Sequence, residues 1–218
     1  GGGPAEAVAI VNGEKIERAT FERMYKDVLL AERNRVGRVL PEMYSPLKAM
    51  VLDRLIDGAL LLQEARDEKV KVTSKEISAR LEKEKANFPS QKEFEAALRA
   101  SGLTLSELRR LIRQQLLVEN LIEKVRSGVK VSEEDVKKAY ERQYKKAASG
   151  PDFEKSKGQI ESNLLAEARS KAVESWFSEV KRKAKIEIFD DEIKAVKEVE
   201  KGNIDGAIAL FQGALKSD

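Results

Sequence analysis

Residues 47–66 read LKAMVLDRLIDGALLLQEAR. At helical spacing the apolar side chains of Leu47, Met50, Val51, Leu52, Leu55, Ile56, Ala59, Leu60, Leu61, Leu62 and Ala65 cover most of the cylinder. Asp53, Asp57 and Glu64 fall on one narrow stripe, so a single face can stay in water. A helix apolar over most of its circumference is the central helix of a core with neighbours on several sides. A membrane span is the rival reading, but Lys48, Asp53, Arg54 and Asp57 break the apolar run. Spans need about 20 nearly uncharged residues. The stretch therefore predicts a mainly α fold built around a buried helix.

Composition narrows the chemistry around that helix. The 218-residue chain can bury a core of one large or two small domains. It has no cysteine, which removes disulfides, thiolate metal sites and a cysteine nucleophile. It has no histidine either, and so lacks the commonest general base and transition-metal ligand. Ser-His-Asp triads, zinc protease sites and base-flipping deaminase sites are excluded on that ground. Lysines and glutamates interleave and nearly cancel, at a net charge of +3, which reads as solvated helix faces. With balanced charge and 6% aromatics, a nucleic-acid partner is not expected. The Asp53, Asp57 and Glu64 stripe could suggest a metal site or carboxylate pair, but helical carboxylate metal sites usually recruit histidine as well. No catalytic residue, metal ligand or cofactor is assigned.

Towards the N-terminus, VAIV (Val8–Val11) is β-prone and is followed by Asn12-Gly13, a pair that accepts positive φ in a two-residue hairpin turn. A helical pattern starts near Ala19, with Phe21, Met24, Tyr25, Val28 and Leu29 on one face. RVGRVLPEMY (Arg35–Tyr44) carries Gly37 and Pro41 and reads as a loop before the central helix. Gly1–Gly3 and Pro4 suggest a disordered leader over 1–7, and no signal-peptide h-region is visible.

Towards the C-terminus a unit recurs. VKVTSKEI (Val70–Ile77) is echoed by VKVSEEDV (Val129–Val136) and, more loosely, by IEIFDDEI (Ile186–Ile193). Each is an extended segment feeding a helix start. Thr73 with Glu76, Thr104 with Glu107 and Ser132 with Asp135 have capping-box spacing, which sets helix starts near Ser74, Leu105 and Glu133. A further short helix fits Gln91–Ala100, one helix runs from Glu133 to about Ala147, and a long one spans Phe153–Ala184 after a break at 148–152. Ile186–Phe189 is β-prone, and an isolated strand is unstable, so its expected partner is Val8–Val11 at the other end. In the final segment, Ala207, Phe211 and Ala214 have the spacing of the second helix of a tetratricopeptide unit. One such unit cannot bury its face alone. It therefore docks on the rest of the chain, or the protein continues.

The order of these segments carries a resemblance. VAIVNGEKIERATFE, then LDRLIDGALLLQEARDEKVKVTSKEI, then FPSQKEFEAALRASGLTLSELRRLIRQQLLVENLI, resembles the N-terminal chaperone domain of SurA-type extracytoplasmic folding factors. It is more loosely similar to PrsA and trigger-factor chaperone modules. FEKSKGQIESNLLAEARSKAVESWFSEVKRKAKIEIF resembles the C-terminal helix and strand that complete the same domain. The fold implied is a multi-helix SurA-like chaperone domain with a small β-sheet formed by N-terminal and C-terminal strands. Its first part covers 8–147 and its completing helix and strand 153–189. A linker at 148–152 stands where the family usually inserts a parvulin prolyl-isomerase domain, and a tetratricopeptide-like hairpin occupies 190–218. Parvulin sites use histidines, so isomerase activity does not carry over to this chain.

The resemblance implies a non-enzymatic, ATP-independent holdase for unfolded or partly folded polypeptide, in the periplasm or cell envelope, without an integral membrane segment. Flexible methionine and aromatic side chains suit varied clients. The peptide-binding candidates are Met24, Tyr25, Met43, Tyr44, Met50, Phe88 and Phe94, each with core packing as its competing role. Met43 and Tyr44 lead, because they stand in the expected loop between Pro41 and Pro46. Trp176 and Phe177 could line the same groove. The alternative function is a non-catalytic adaptor that binds one specific partner through its helical surface and tetratricopeptide-like tail. The Gly150-Pro151 joint also allows a homodimer by exchange of the long helix.

Overall fold

The computed structural model describes residues 6–216. Of the leader expected over 1–7, residues 1–5 lie outside the described residues, while Ala7 already belongs to a strand and is fully buried. The elements in chain order are β1 (Ala7–Val11), β2 (Glu14–Glu17), α1 (Arg18–Val36), α2 (Pro41–Asp67), α3 (Ser74–Lys85) and α4 (Gln91–Ala100). They continue with α5 (Leu105–Ser127), α6 (Glu133–Tyr144), α7 (Gly150–Lys183), β3 (Ile186–Ile188), α8 (Asp191–Glu200) and α9 (Ile204–Lys216). The chain divides into two compact units. One runs up to Leu61 and resumes at Lys183; the other is Leu62–Arg182.

In the first unit the two ends of the chain meet, as the isolated β-prone runs require. The sheet order is β2-β1-β3 with both pairings antiparallel, and Ala9 faces Ile188 while Val11 faces Ile186. Asn12 and Gly13 take φ of 50° and 84°, the two left-handed residues of a tight hairpin turn. Asn12 also clamps the return strand. Its backbone N–H donates to the Lys185 carbonyl at 2.8 Å, and its Oδ1 accepts from the Lys185 N–H at 2.9 Å. Ala7, Val8, Ala9 and Val11 of the central strand are fully buried, as are Phe21 of α1, Val51 and Leu52 of α2, and Ile193 and Ala195 of α8.

α2 is the central helix and is longer than 47–66. Ala49, Leu52, Ile56, Leu60 and Gln63 make one buried stripe, whereas Leu55, Ala59, Leu61 and Leu62 are half-buried. The tail folds as a hairpin of α8 on α9, with Asp190 Oδ1 accepting from the Ile193 N–H at 2.9 Å to cap α8. It docks on α2 through two ion pairs, Lys48–Glu192 at 2.9 Å and Lys197–Asp53. Asp53 therefore leaves the solvated stripe for a partner on α8.

In the second unit α3, α5 and α6 start where their caps predict. Thr73 and Ser132 form full capping boxes, while Thr104 Oγ1 accepts from the Glu107 N–H at 3.1 Å. Ile77, Leu81, Phe94, Ile112 and Leu116 form one buried cluster of α3, α4 and α5. Val136, Tyr140, Phe153 and Ile160 form another, of α6 and α7.

Three expectations need correction. The loop expected over Arg35–Tyr44 is short: α1 reaches Val36, Gly37 ends it at φ 89°, and α2 begins at Pro41. Proline suits a first helical position, where its missing N–H has no partner to lose. Pro46 follows within the same helix. The Val70–Val72 and Val129–Val131 segments lead into helix starts as expected and pair with no strand. They lie in the second unit, and every described strand lies in the first. α6 ends at Tyr144, with Lys145 left-handed at φ 53°, short of Ala147. α7 starts at Gly150, so Gly150–Asp152 form its first turn and only residues 145–149 break the helices.

Candidate functional site

Five of the seven candidate binding residues belong to the first unit. Tyr25 stacks on buried Phe21, with ring centroids 6.0 Å apart and planes 4° apart. The Lys48 ammonium lies 5.7 Å from the Tyr25 ring centroid and pairs with Glu192 at 2.9 Å. Ser45 Oγ donates to the other Glu192 oxygen at 2.5 Å. Burial pushes the Tyr25 hydroxyl above its ordinary value, and the charges of Glu192, Tyr44 and Glu22 add to this against Lys48. Burial pushes the Glu192 carboxyl up, but the hydrogen bonds from Ser45 and Lys48 and the Lys48 charge outweigh it and leave it below its ordinary range. Burial likewise lowers Lys48, and its bond to Glu192 and the charges of Glu192, Asp190 and Tyr25 raise it overall.

Met43 and Tyr44 stand in the first turns of α2 instead of in a loop. The Met43 sulfur accepts from the Leu40 N–H at 3.4 Å while the Met43 N–H donates to the Leu40 carbonyl at 2.9 Å. The thioether takes the amide of the residue before the helix, and the backbone bond closes the first turn. Met43 is thus held and half-buried, whereas Tyr44 is 36% exposed. Met24 and Met50 are half-buried.

Phe88 and Phe94 belong to the second unit and share its first core cluster, edge-to-face at a centroid distance of 5.5 Å. Phe94 is 5% exposed and is held as core. Trp176 and Phe177 are half-buried neighbours on α7, with Lys181 4.7 Å over the Phe177 ring. The seven candidates therefore do not line one surface within a unit.

Apart from Tyr44, the exposed apolar side chains of the first unit lie elsewhere. Leu30 and Val36 project from α1. Ile204, Ile208 and Leu215 of α9 are 53%, 50% and 77% exposed, and Phe211 between them is half-buried. The spacing i, i+4, i+7, i+11 places these four on one helix face. Ala207 on the adjoining face is fully buried. Reading α9 for its alanines hides this row, although the same periodicity contains it.

Among the described residues no group of three or more carboxylates is placed to hold a metal ion, and no helix is long and apolar enough to cross a membrane. The first 122 residues match the sequence pattern of the SurA-like N-terminal domain. The chain belongs to that family. It is 30% identical over 146 residues to foldase protein PrsA of Clostridium botulinum (strain Loch Maree / Type A3), an alignment covering 61% of this chain and 44% of that protein. It is 30% identical over 145 residues to foldase protein PrsA of Caldanaerobacter subterraneus subsp. tengcongensis, covering 62% and 42%. The alignments thus span less than half the length of these curated relatives.

Among solved structures, it is similar to a chain described with PEB4 and the periplasmic protein Cj1289, two SurA-like chaperones of Campylobacter jejuni. The TM-score is 0.57 at 14% identity, covering 84% of this chain and 98% of that one. At that identity the likeness is one of fold. It agrees with the expected SurA-type architecture, mainly helical with a small sheet closed by the two ends of the chain.

Proposed function

We propose that the chain is an ATP-independent chaperone that holds unfolded or partly folded polypeptide in the cell envelope, without isomerase catalysis. The observation that carries this reading is the set of exposed apolar side chains in the first unit: Leu30, Val36 and Tyr44 on α1 and α2, and the Ile204, Ile208, Leu215 row on α9. Membership of the SurA-like family and the resemblance to PrsA foldases support it. A non-native client exposes side chains of the same kind, and covering them stabilises the complex by about 25 cal/mol per Å² of apolar area. The contacts are non-directional, so they suit many sequences, and releasing a client needs no chemistry. A chain without histidine also lacks the histidines that parvulin sites use.

The test is aggregation of a chemically denatured client on dilution, without nucleotide, beside a prolyl-isomerase assay on the same sample. Suppression near stoichiometric ratios with no isomerase signal is expected. Ile204→Ser with Ile208→Ser reduces the suppression while the far-UV spectrum stays unchanged. Failure to suppress with several unrelated clients overturns the reading. The α9 row equally fits an adaptor that binds one folded partner, and tight, saturable binding of a single protein without client promiscuity would favour that. Light scattering in the same buffer gives the assembly: exchange of α7 between two copies doubles the 24.4 kDa chain mass.

A further inference from the structure

The sheet of the first unit ends in an open edge. β3 pairs with β1 on one side, and no described strand pairs with it on the other. The register fixes which main-chain groups face outward. The Asn12 N–H donates to the Lys185 carbonyl at 2.8 Å, and the Phe189 N–H donates to the Val8 carbonyl at 2.9 Å. These bonds flank the Val11–Ile186 and Ala9–Ile188 pairs. Residues paired in that way in an antiparallel ladder turn their own N–H and C=O groups away from each other. The N–H and C=O of Ile186 and Ile188 therefore point off the sheet, and among the described residues nothing bonds to them. The side chains alternate. Ile186 and Ile188 share a face with fully buried Ala9 and Val11, and Ile186 at its rim is 38% exposed. Glu187 stands exposed on the opposite face.

We infer that this edge takes up an extended client segment of the pattern apolar–basic–apolar as a fourth strand, antiparallel like both existing pairings. The inference rests on the chaperone reading and adds to it where and how a client main chain is held. An unpaired edge is a template for another strand, and its donors and acceptors read no side chain. Two bonds at Ile186 and two at Ile188 therefore suit many sequences. The outer residues of the segment extend the apolar face beside Ile186 and Ile188, while the middle residue meets Glu187, where opposite charge is favoured. Lys185 lies two residues back on that face, so the basic residue belongs at the middle position and not beyond it. The same carboxylate disfavours a second copy as the occupant. An antiparallel β3–β3 pair that uses both Ile186 and Ile188 sets the two Glu187 side chains directly opposite, and like charges there are destabilising. The edge is only three residues long, which keeps binding weak and reversible.

The probe is the peptide acetyl-Thr-Val-Lys-Val-Thr-amide, titrated into the full isotope-labelled chain and followed by amide NMR. The Ile186 and Ile188 amide resonances should shift saturably, and their hydrogen exchange should slow. N-methylation of both peptide valines removes the donors that meet the Ile186 and Ile188 carbonyls, and abolishes binding. N-methylation of the peptide lysine, whose N–H faces away from β3, leaves it intact. Replacing that lysine by glutamate weakens binding about two- to five-fold, and Glu187→Lys in the protein reverses the order of the two peptides. Ile186→Pro removes an outward N–H that β1 does not use, so binding falls while the far-UV spectrum is kept. Should that variant fail to fold, Glu187→Lys at its exposed position carries the test. Equal binding of the valine-methylated peptide overturns the inference, as do shifts confined to other elements. Slowed exchange at Ile186 and Ile188 that grows with chain concentration alone overturns it in favour of a second copy. Absence of peptide binding with aggregation suppression retained overturns the edge alone, whereas loss of both overturns the chaperone reading with it.

Discussion

Removing the Glu192 carboxylate tests how the tail hairpin is held on the central helix. Glu192 accepts from Ser45 Oγ at 2.5 Å and from Lys48 Nζ at 2.9 Å, and the Glu192 and Lys48 side chains are 28% and 25% exposed. Hydrogen bonds to charged groups contribute about 1.5–3 kcal/mol each when buried. Partial exposure brings these toward the lower end, so Glu192→Ala is expected to cost about 2–3 kcal/mol and Glu192→Gln about 1–2 kcal/mol. A double-mutant cycle with Lys48→Ala should return a coupling of about 1 kcal/mol.

The pH dependence follows from the carboxyl being held below its ordinary range in the folded chain. A group depressed on folding stabilises fully above its unfolded value, about 4.3 for glutamate, and loses that contribution as pH falls through the folded value. The gap between the parent protein and Glu192→Gln is therefore widest at neutral pH and closes in acid. Urea unfolding followed by far-UV circular dichroism reads the gap, and hydrogen exchange of α8 amides assigns it to the first unit. Trp176 belongs to the second unit, so its fluorescence is not the probe to use here. A neutral-pH cost below about 0.5 kcal/mol, or a gap that stays constant down to acid pH, refutes the reasoning.

Three further substitutions probe the other supports. Phe94→Ala should cost about 3–5 kcal/mol in urea unfolding, because it empties the centre of a packed cluster. The folded fraction should suppress client aggregation as well as the parent does, since Phe94 is interior. Asn12→Ala removes the acceptor for the Lys185 N–H and puts alanine at positive φ, so thermal melting should report a loss of about 1–2 kcal/mol. Thr73→Ala deletes the cap that receives the Glu76 N–H at 3.1 Å, and Trp176 fluorescence in urea should report about 1 kcal/mol.

What the sequence discloses depends on how far each determinant reaches along the chain. The starts of α3, α5 and α6 are legible because Thr73, Thr104 and Ser132 act on amides three residues away. The pairing of β1 with β3 is legible for a different reason: Ile186–Phe189 has no neighbour of its own along the chain, and β1, joined to β2 on one edge by a hairpin turn, leaves its other edge open. The same argument fails for Val70–Val72 and Val129–Val131, because alternation gives strand shape but supplies no edge to pair with. Pro41 and Pro46 were natural grounds for a loop, since proline usually punctuates. Here Pro41 occupies a helix start, and the buried stripe from Ala49 onward holds the helix on past Pro46 despite the amide that it lacks.

The candidate surface was less legible because residue type does not state which way a side chain faces. Methionines and aromatics are chosen equally by cores and by adaptable surfaces, and Phe94 went to a core while Met43 holds the amide before a helix. The α9 row shows where a better signal lay. Ala207 marks the face packed inside the hairpin, so large apolar residues about a quarter-turn away at Ile204, Ile208 and Leu215 have no internal reason to be apolar. A helix of this length needs one buried stripe to fold, and a second stripe left in water costs solubility without adding stability. On the proposed reading that imbalance points outward, to a covering polypeptide, either a passing unfolded client or a single dedicated protein. Client promiscuity therefore decides the function, and substitutions along Ile204 and Ile208 decide whether this row is the surface that carries it.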